Sequence, residues 1–288
     1  MIDRAKWWYV LDGFIRSRRQ QRACPSCGLR ESHSVDRKGF HQLLRCGGCG
    51  LLYRWPHESQ EEMQYFYQRA YQQKGLTTDL PDAATLKRLM QTGFRGSSKD
   101  FSRVVDLLQT LSVWRGARIL DFGANWGYGV WQFREAGFDA MGYELSKPRA
   151  AYGMHLGVEV LTDWSEVARR GPFDVVFSSH VLEHTPDPAE VLRRQRDSLA
   201  SGGLVIAYVP NGSSQFAQAD PLAFHKLWGR VHPVMLDEVF IRRALAPLPV
   251  AVGAHRPDDL RGLANWDRVT SWTGTLNTSE MLMVSVAG

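Results

Sequence analysis

No run of about 18 apolar residues, the length that crosses a bilayer, occurs in this 288-residue sequence. The N-terminal apolar patch (Trp7, Trp8, Tyr9, Val10, Leu11) is short, is followed by Asp12 and lacks a small-residue cleavage site, so neither a membrane span nor a secretory leader is expected. Cysteine is scarce as well: there are four, all between positions 24 and 49. That distribution excludes a secreted disulfide scaffold and predicts a cytoplasmic protein with reduced thiols. Internal repeats and low-complexity tracts are missing too, and 44% hydrophobic with 23% charged residues excludes the disordered and fibrous classes.

The charge that is present is uneven. Residues 1–56 carry eleven Lys/Arg against four Asp/Glu, so the formal net charge of +5 belongs to this segment and the remainder is slightly acidic. Such an excess either steers an anionic partner (nucleic acid, phosphorylated sugar, anionic lipid) or is a solvated face of Arg side chains.

Four stretches follow one another. Residues 1–22 read as one amphipathic helix, with Trp7, Val10, Leu11, Phe14 and Ile15 at helical spacing, packed on the rest of the protein or lying on a membrane surface. Residues 23–56 hold the cysteines. Residues 57–115 read as helices, with one stripe at Met63, Phe66, Tyr67 and Ala70 and another at Phe101, Val104, Val105, Leu108 and Leu111. From residue 116 to 288 short β-rich runs alternate with helical stretches. Strands are predicted at Ala117 to Phe122, Asp139 to Glu144, Val158 to Leu161, Phe173 to Ser178 and Gly203 to Val209, then near Val250 to His255 and Met281 to Val286. This is the pattern of an α/β fold, a Rossmann-like seven-stranded, mostly parallel sheet covered by helices. The last two strands supply an antiparallel edge. A helix is expected from about Pro233 to Leu245, and 212–238 is expected to form a lid.

Cys24-Pro-Ser-Cys27 and Cys46-Gly-Gly-Cys49 are two short knuckles eighteen residues apart. Each turns two thiolates toward one point, the pattern of a tetrahedral structural zinc site in a zinc ribbon. Four thiolates close the coordination shell, so the ion would hold together a segment too small for a core of its own. Four unrelated buried thiols and a redox CxxC are the competing readings.

The run Leu120-Asp121-Phe122-Gly123-Ala124-Asn125-Trp126-Gly127 follows a strand and opens a helix, where glycines let a ligand approach the backbone. A dinucleotide turn would want GxGxxG. Here Asp121 at the strand end would repel pyrophosphate but suits an ammonium or sulfonium group. Glu144, at the end of the next strand, is placed to accept the hydroxyls of a ribose. S-Adenosylmethionine carries both features.

With these motifs, Arg118 to Asn211 resembles the cofactor-binding half of class I S-adenosylmethionine-dependent methyltransferases: LDFGANWG the first motif, GYEL the second, TDW the third and FDVVFSSHVLEH the fourth. The resemblance implies that Asp121, Gly123, Asn125 and Gly127 surround the methionine part, that Glu144 and Leu145 flank the ribose, that Asp163 and Trp164 lie beside the adenine, and that Ser179 and His180 lie near the sulfonium. Asn125 departs from the glycine that many relatives have, although Asn tolerates left-handed backbone angles. The ribbon followed by Tyr65, Tyr67 and Tyr71 resembles an arrangement in bacterial methyltransferases of sugars, surface glycans and natural products.

A hydroxyl acceptor needs a base, and the candidates are His180 and His184 after the fourth strand and His225 and His232 in the expected lid, with His232 preferred. Three functions compete: methyl transfer to a small molecule or glycan, methylation of RNA gripped by the basic ribbon, and a non-catalytic cofactor-binding or protein-contact role.

Overall fold

The computed structural model describes residues 13–58, 62 and 79–288. Its main sheet has eight strands: β4 (Arg118–Phe122), β5 (Asp139–Tyr143), β6 (Val160–Leu161), β7 (Phe173–Ser179), β8 (Leu199–Pro210), β10 (Val250–Gly253), β11 (Trp272–Thr273) and β12 (Glu280–Val286), in the order β11-β10-β12-β8-β7-β4-β5-β6. The central strands read as continuous apolar runs because both faces are covered. Ile119, Val175, Phe177, Ile206 and Val284 point to one side, and Leu120, Val176, Val205, Ala207 and Met283 to the other. The first side is packed by α2 (Ser102–Thr110), α3 (Tyr128–Glu135) and α10 (Pro257–Ala264). The second side receives Val167 of α5 (Trp164–Arg170), Leu192 of α6 (Pro188–Asp197) and Phe240 and Ile241 of α9 (Glu238–Leu245).

The sheet refines the sequence expectation in two respects. It has an eighth strand, the two-residue β11, at the edge. The antiparallel strand, β12, lies inside the sheet between β8 and β10, not at its edge. The reason is the length of β8, which pairs with β12 from Leu204 to Pro210 and leaves β10 to add outside it.

A second, four-stranded antiparallel sheet contains β1 (Ser32–Lys38), β2 (His41–Cys46), β3 (Leu52–Trp55) and β9 (Val234–Met235). The fourth strand comes from the segment between β8 and α9, far from the other three in sequence. This corrects the helix expected from Pro233: the chain is extended first, with Leu52 opposite Met235 and Tyr53 opposite Val234, and α9 begins only after Asp237, whose side chain caps Phe240 N at 2.8 Å. The segment 212–238, expected as a lid, is likewise packed. It forms α7 (Ser214–Ala219), α8 (Pro221–Leu227) and β9, and buries Phe216, Phe224, Trp228 and Met235 against Leu43 and Leu52 of the small sheet. Trp228 Nε1 donates to Asp36 Oδ2 at 2.7 Å, and Lys38 Nζ lies 4.5 Å over its ring.

Residues 13–19 are helical, with Phe14 edge-on to Phe40 at 5.1 Å. Trp7, Val10 and Leu11 of the same expected helix lie outside the described residues, as do Met63, Tyr65, Phe66, Tyr67, Ala70 and Tyr71. Within 57–115 the described helices are α1 (Ala83–Gln91) and α2. No helix among the described residues is long and apolar enough to cross a membrane.

Several of the basic side chains of the N-terminal segment are engaged internally. Arg45 pairs with the buried Asp237, the buried Arg54 with Glu58, Arg16 with Glu62 at 2.6 Å, and Arg22 stacks 4.7 Å from the centre of the Trp55 ring. Replacing Trp228 with Ala removes the largest side chain of the contact between small sheet and helices. It should lower stability by about 3–5 kcal/mol, measured by denaturant unfolding.

Candidate active site and cysteine cluster

The turn after β4 is built around close approaches. Gly123 has φ +87°, and a Cβ there would stand 2.4 Å from Val181 Cγ2; Gly127 has φ +84° and would meet Val158 Cγ2 at 2.7 Å. Asn125 also takes a left-handed angle, φ 54°, and its side-chain oxygen accepts from Arg149 Nη1 at 2.7 Å. The residue that departs from the resembled pattern thus adopts the backbone that a glycine would supply.

Two carboxyl groups close this end of the sheet. Glu144 accepts Asn125 N at 3.0 Å on one oxygen and Ser146 N at 2.8 Å on the other. Burial raises its pKa, against the pull of those two N–H groups. Asp121 is buried and has no hydrogen bond or ion pair among the described residues. Burial, with Glu144 nearby, pushes its pKa up to about 8. Leu145 is largely exposed beside this turn. Asp163 caps α5 by accepting Ser165 N at 2.8 Å, and Trp164 packs edge-on against Phe122 and Tyr143, at 5.6 and 5.3 Å between ring centres.

β7 ends at Ser179 next to β4, and His180 follows with φ 54°. Its Nδ1 lies 3.1 Å from Glu183 Oε1 and its Nε2 3.0 Å from Glu280 Oε1; Arg103 pairs with Glu280 at 2.9 Å. Burial opposes charge on this ring, but the two carboxylates outweigh it and hold its pKa at about 10. An imidazole held as a cation near neutral pH is a poor proton acceptor, which weighs against His180 among the candidate bases. His184 and His232 meet edge to face at 4.8 Å between ring centres, and both lie near Glu183. His225 is not in this group: its Nδ1 lies 2.8 Å from Asp36 Oδ2 in the small sheet, where the Asp36 carboxylate also holds Trp228. Of the four candidate histidines, three therefore lie around the buried Glu183.

In the cysteine cluster the sulfur atoms of Cys24 and Cys49 are 3.5 Å apart, as are those of Cys27 and Cys46, and all four lie within 4.8 Å of one another. A tetrahedral ion with bonds of about 2.3 Å to sulfur would separate them by about 3.8 Å, so the set can hold such an ion.

The family model of a methyltransferase domain matches residues 97–248, more than half of the chain. The chain belongs to the class I S-adenosylmethionine-dependent methyltransferase family. Over 111 residues it is 33% identical to the ubiquinone biosynthesis O-methyltransferase of Ralstonia nicotianae, covering 35% of this chain and 47% of that protein. Over 116 residues it is 27% identical to the tRNA U34 carboxymethyltransferase of Psychromonas ingrahamii, covering 35% and 34%. The chain thus spans less than half the length of these curated relatives. Among solved structures, the plantazolicin methyltransferase BamL in complex with a triazolic desmethylPZN analog and SAH aligns with a TM-score of 0.50 at 9% identity, covering 78% of this chain and 94% of that one. That likeness concerns the fold.

Sequence reasoning about this methyltransferase missed Glu183, Glu280, Arg103 and the pair Tyr208 OH and His255 Nδ1, 2.5 Å apart. Glu183 stood within the quoted fourth motif and was passed over for its histidines. Glu280 reaches the site because β12 runs antiparallel, which brings its first residue beside Pro210 at the end of β8. Replacing Gly123 with Ala should cost about 2 kcal/mol or more, from the left-handed angle together with the Val181 clash, read as a lowered melting temperature.

Proposed function

We propose that the protein transfers the methyl group of S-adenosylmethionine to a small-molecule or glycan acceptor, at a sugar hydroxyl or carbon. The observation that carries this reading is Asp121, a buried carboxyl with no cation beside it and a second carboxyl as its neighbour. Such a group is incomplete until a ligand brings positive charge. In this reading Asp121, Gly123, Asn125 and Gly127 hold the methionine end. Glu144 takes the ribose hydroxyls, since each carboxylate oxygen keeps a lone-pair site after accepting one backbone N–H. Leu145 lies beside the ribose, Asp163 and Trp164 border the adenine, and Ser179 and His180 the sulfonium.

When bound, the cofactor supplies an electrophilic methyl group on a positively charged sulfur. The chain's own part is to hold that methyl in line with the acceptor and to exclude water. The acceptor enters on the His184 and His232 side, which adjoins the glycine turn across Val181. The four cysteines hold a structural zinc ion. The pairing of Arg45 with the buried Asp237 and of the buried Arg54 with Glu58 leaves less basic surface for phosphates than the composition implies, which favours a small acceptor over RNA. RNA affinity falling steeply with salt would reverse that preference.

The pH dependence has a definite sign. Folded, ligand-free protein keeps a proton on Asp121 up to about 8, whereas an exposed Asp loses it near its model value of 3.8, so this group's contribution to stability declines as pH rises across that window. A cationic ligand binds the ionised form, so affinity for S-adenosylmethionine should rise with pH up to about 8, by at most about tenfold per pH unit. Calorimetry on wild type and Asp121→Asn tests this: the variant should bind more weakly and lose the slope. A cofactor that neither binds nor raises the melting temperature would refute the enzymatic reading and favour the non-catalytic one. For the cysteines, atomic absorption should find one zinc per chain, and Cys27→Ser should lower both zinc content and melting temperature.

A further inference from the structure

A half-buried lysine stands beside the glycine turn without a counter-charge. Lys99 Nζ lies 5.6 Å from the centre of the ring of Tyr128, the first residue of α3. Among the described residues no carboxylate pairs with it, and burial, with the Arg149 guanidinium nearby, holds its pKa below the ordinary lysine value. The neighbouring carboxylate is committed elsewhere: Asp100 accepts Gly96 N on one oxygen and Ser102 N on the other, each at 2.9 Å. The position of Lys99 is fixed by the fold. The buried Gln132 of α3 donates to the Lys99 carbonyl oxygen at 2.8 Å and accepts Phe101 N at 2.8 Å, so one side chain clamps both sides of residue 100. Phe101 then reaches the carboxyl on which the cofactor reading depends. A Cβ on Gly129 would stand 2.5 Å from Phe101 Cε2 and 2.6 Å from Asp121 Oδ2, so this glycine lets the 99–101 segment and Asp121 close over the same spot on α3.

We propose that Lys99 receives the α-carboxylate of S-adenosylmethionine, so that Asp121 and Lys99 together recognise the amino acid end of the cofactor as a zwitterion. The proposal rests on the methyl-transfer reading and extends its cofactor site to a residue upstream of the sequence motifs. Asp121 has no cation beside it and Lys99 has no anion, and the two do not pair with each other. Opposite charges left unmatched in neighbouring desolvated positions are completed by one ligand that carries both. Arg149 has other duties: it donates to Asn125 Oδ1 at 2.7 Å, and its charge favours the ionised form of Glu144. An ammonium is a compact charge on a flexible stem, which suits a carboxylate whose place is set by the rest of the ligand. Gln132 is the positioning residue, since it holds the backbone on which Lys99 stands.

This arrangement sets a selectivity. A ligand with the same nucleoside and sulfonium but no carboxylate still meets Asp121 and Glu144, yet leaves the Lys99 ammonium without its partner. In a partly desolvated position a charge-assisted contact is worth more than the same contact in water. The carboxylate therefore counts toward affinity only as long as residue 99 is a cation.

The test is a cycle of two proteins and two ligands, read by calorimetry on the full-length chain: wild type and Lys99→Met, each with S-adenosylmethionine and with decarboxylated S-adenosylmethionine. Wild type should prefer the carboxylated ligand at least tenfold. Lys99→Met should lose that preference, binding S-adenosylmethionine at least tenfold more weakly and the decarboxylated ligand within about twofold of wild type. Lys99→Arg, which keeps the charge, should retain part of the preference. A variant that binds S-adenosylmethionine like wild type, or one that weakens both ligands equally, would overturn the assignment and leave the cofactor reading standing. Wild type alone decides the matter where Lys99→Met fails to fold, because equal affinity for the two ligands also overturns it. Wild-type protein that binds neither ligand at millimolar concentration defeats the methyl-transfer reading and this extension together.

Discussion

The pairing of β9 with β3 is the contact on which the arrangement of this molecule depends. Only two residues, Val234 and Met235, enter the small sheet, but they fix a chain that has just left the main sheet. Asn211, at the end of β8, is buried and donates to the carbonyls of Leu276 and Thr278, and it bridges to Leu236 directly after β9. The main sheet, the cysteine segment and the loop before β9 are therefore tied at one place. His232 sits in that loop, three residues from Met235, and reaches the end of β7 because both sheets hold its ends. The small sheet thus helps to fix where His232 lies relative to the end of β7.

This connection explains what the sequence could and could not disclose. Asp121 and Glu144 were legible because each stands at the end of a predicted strand, and in a parallel sheet all such ends face the same edge. The cysteines were legible because a CxxC knuckle is local. The partner of His225 was not, since Asp36 lies 189 residues away and meets it only through the docking of α8 on the small sheet. Glu280 was hidden for a similar reason: its placement requires the order β10-β12-β8, and strand order is a property of long-range pairing that hydrophobic period does not encode. The error over 233–245 was one of competing templates. Val234 and Met235 belong to a helical stripe by spacing, yet the backbone groups of β3 needed a partner, and an extended segment supplied it.

The charge of the N-terminal segment takes on a different meaning in the folded molecule. Counted along the chain it is an anion-seeking patch. Folded, Arg45 is paired with Asp237 at the cap of α9, Arg54 is buried with Glu58, and Lys38 covers Trp228. These groups join the cysteine segment to the acidic remainder. Arg45 and Arg54 thus meet carboxylates that lie beyond residue 56 in the chain.

The two most buried carboxyl groups near the glycine turn follow one electrostatic logic. Asp121 has no cation and is pushed toward its neutral form; Glu183 is held by the cationic His180 on one oxygen while the other oxygen stands without a partner. A protein tolerates such groups where a ligand completes them, because desolvation has already been met in folding and the arriving charge gains the full attraction of a dry site. Val181 packs on Gly123. The tight turn at Gly123 is what lets Val181 pack this close to the end of β4.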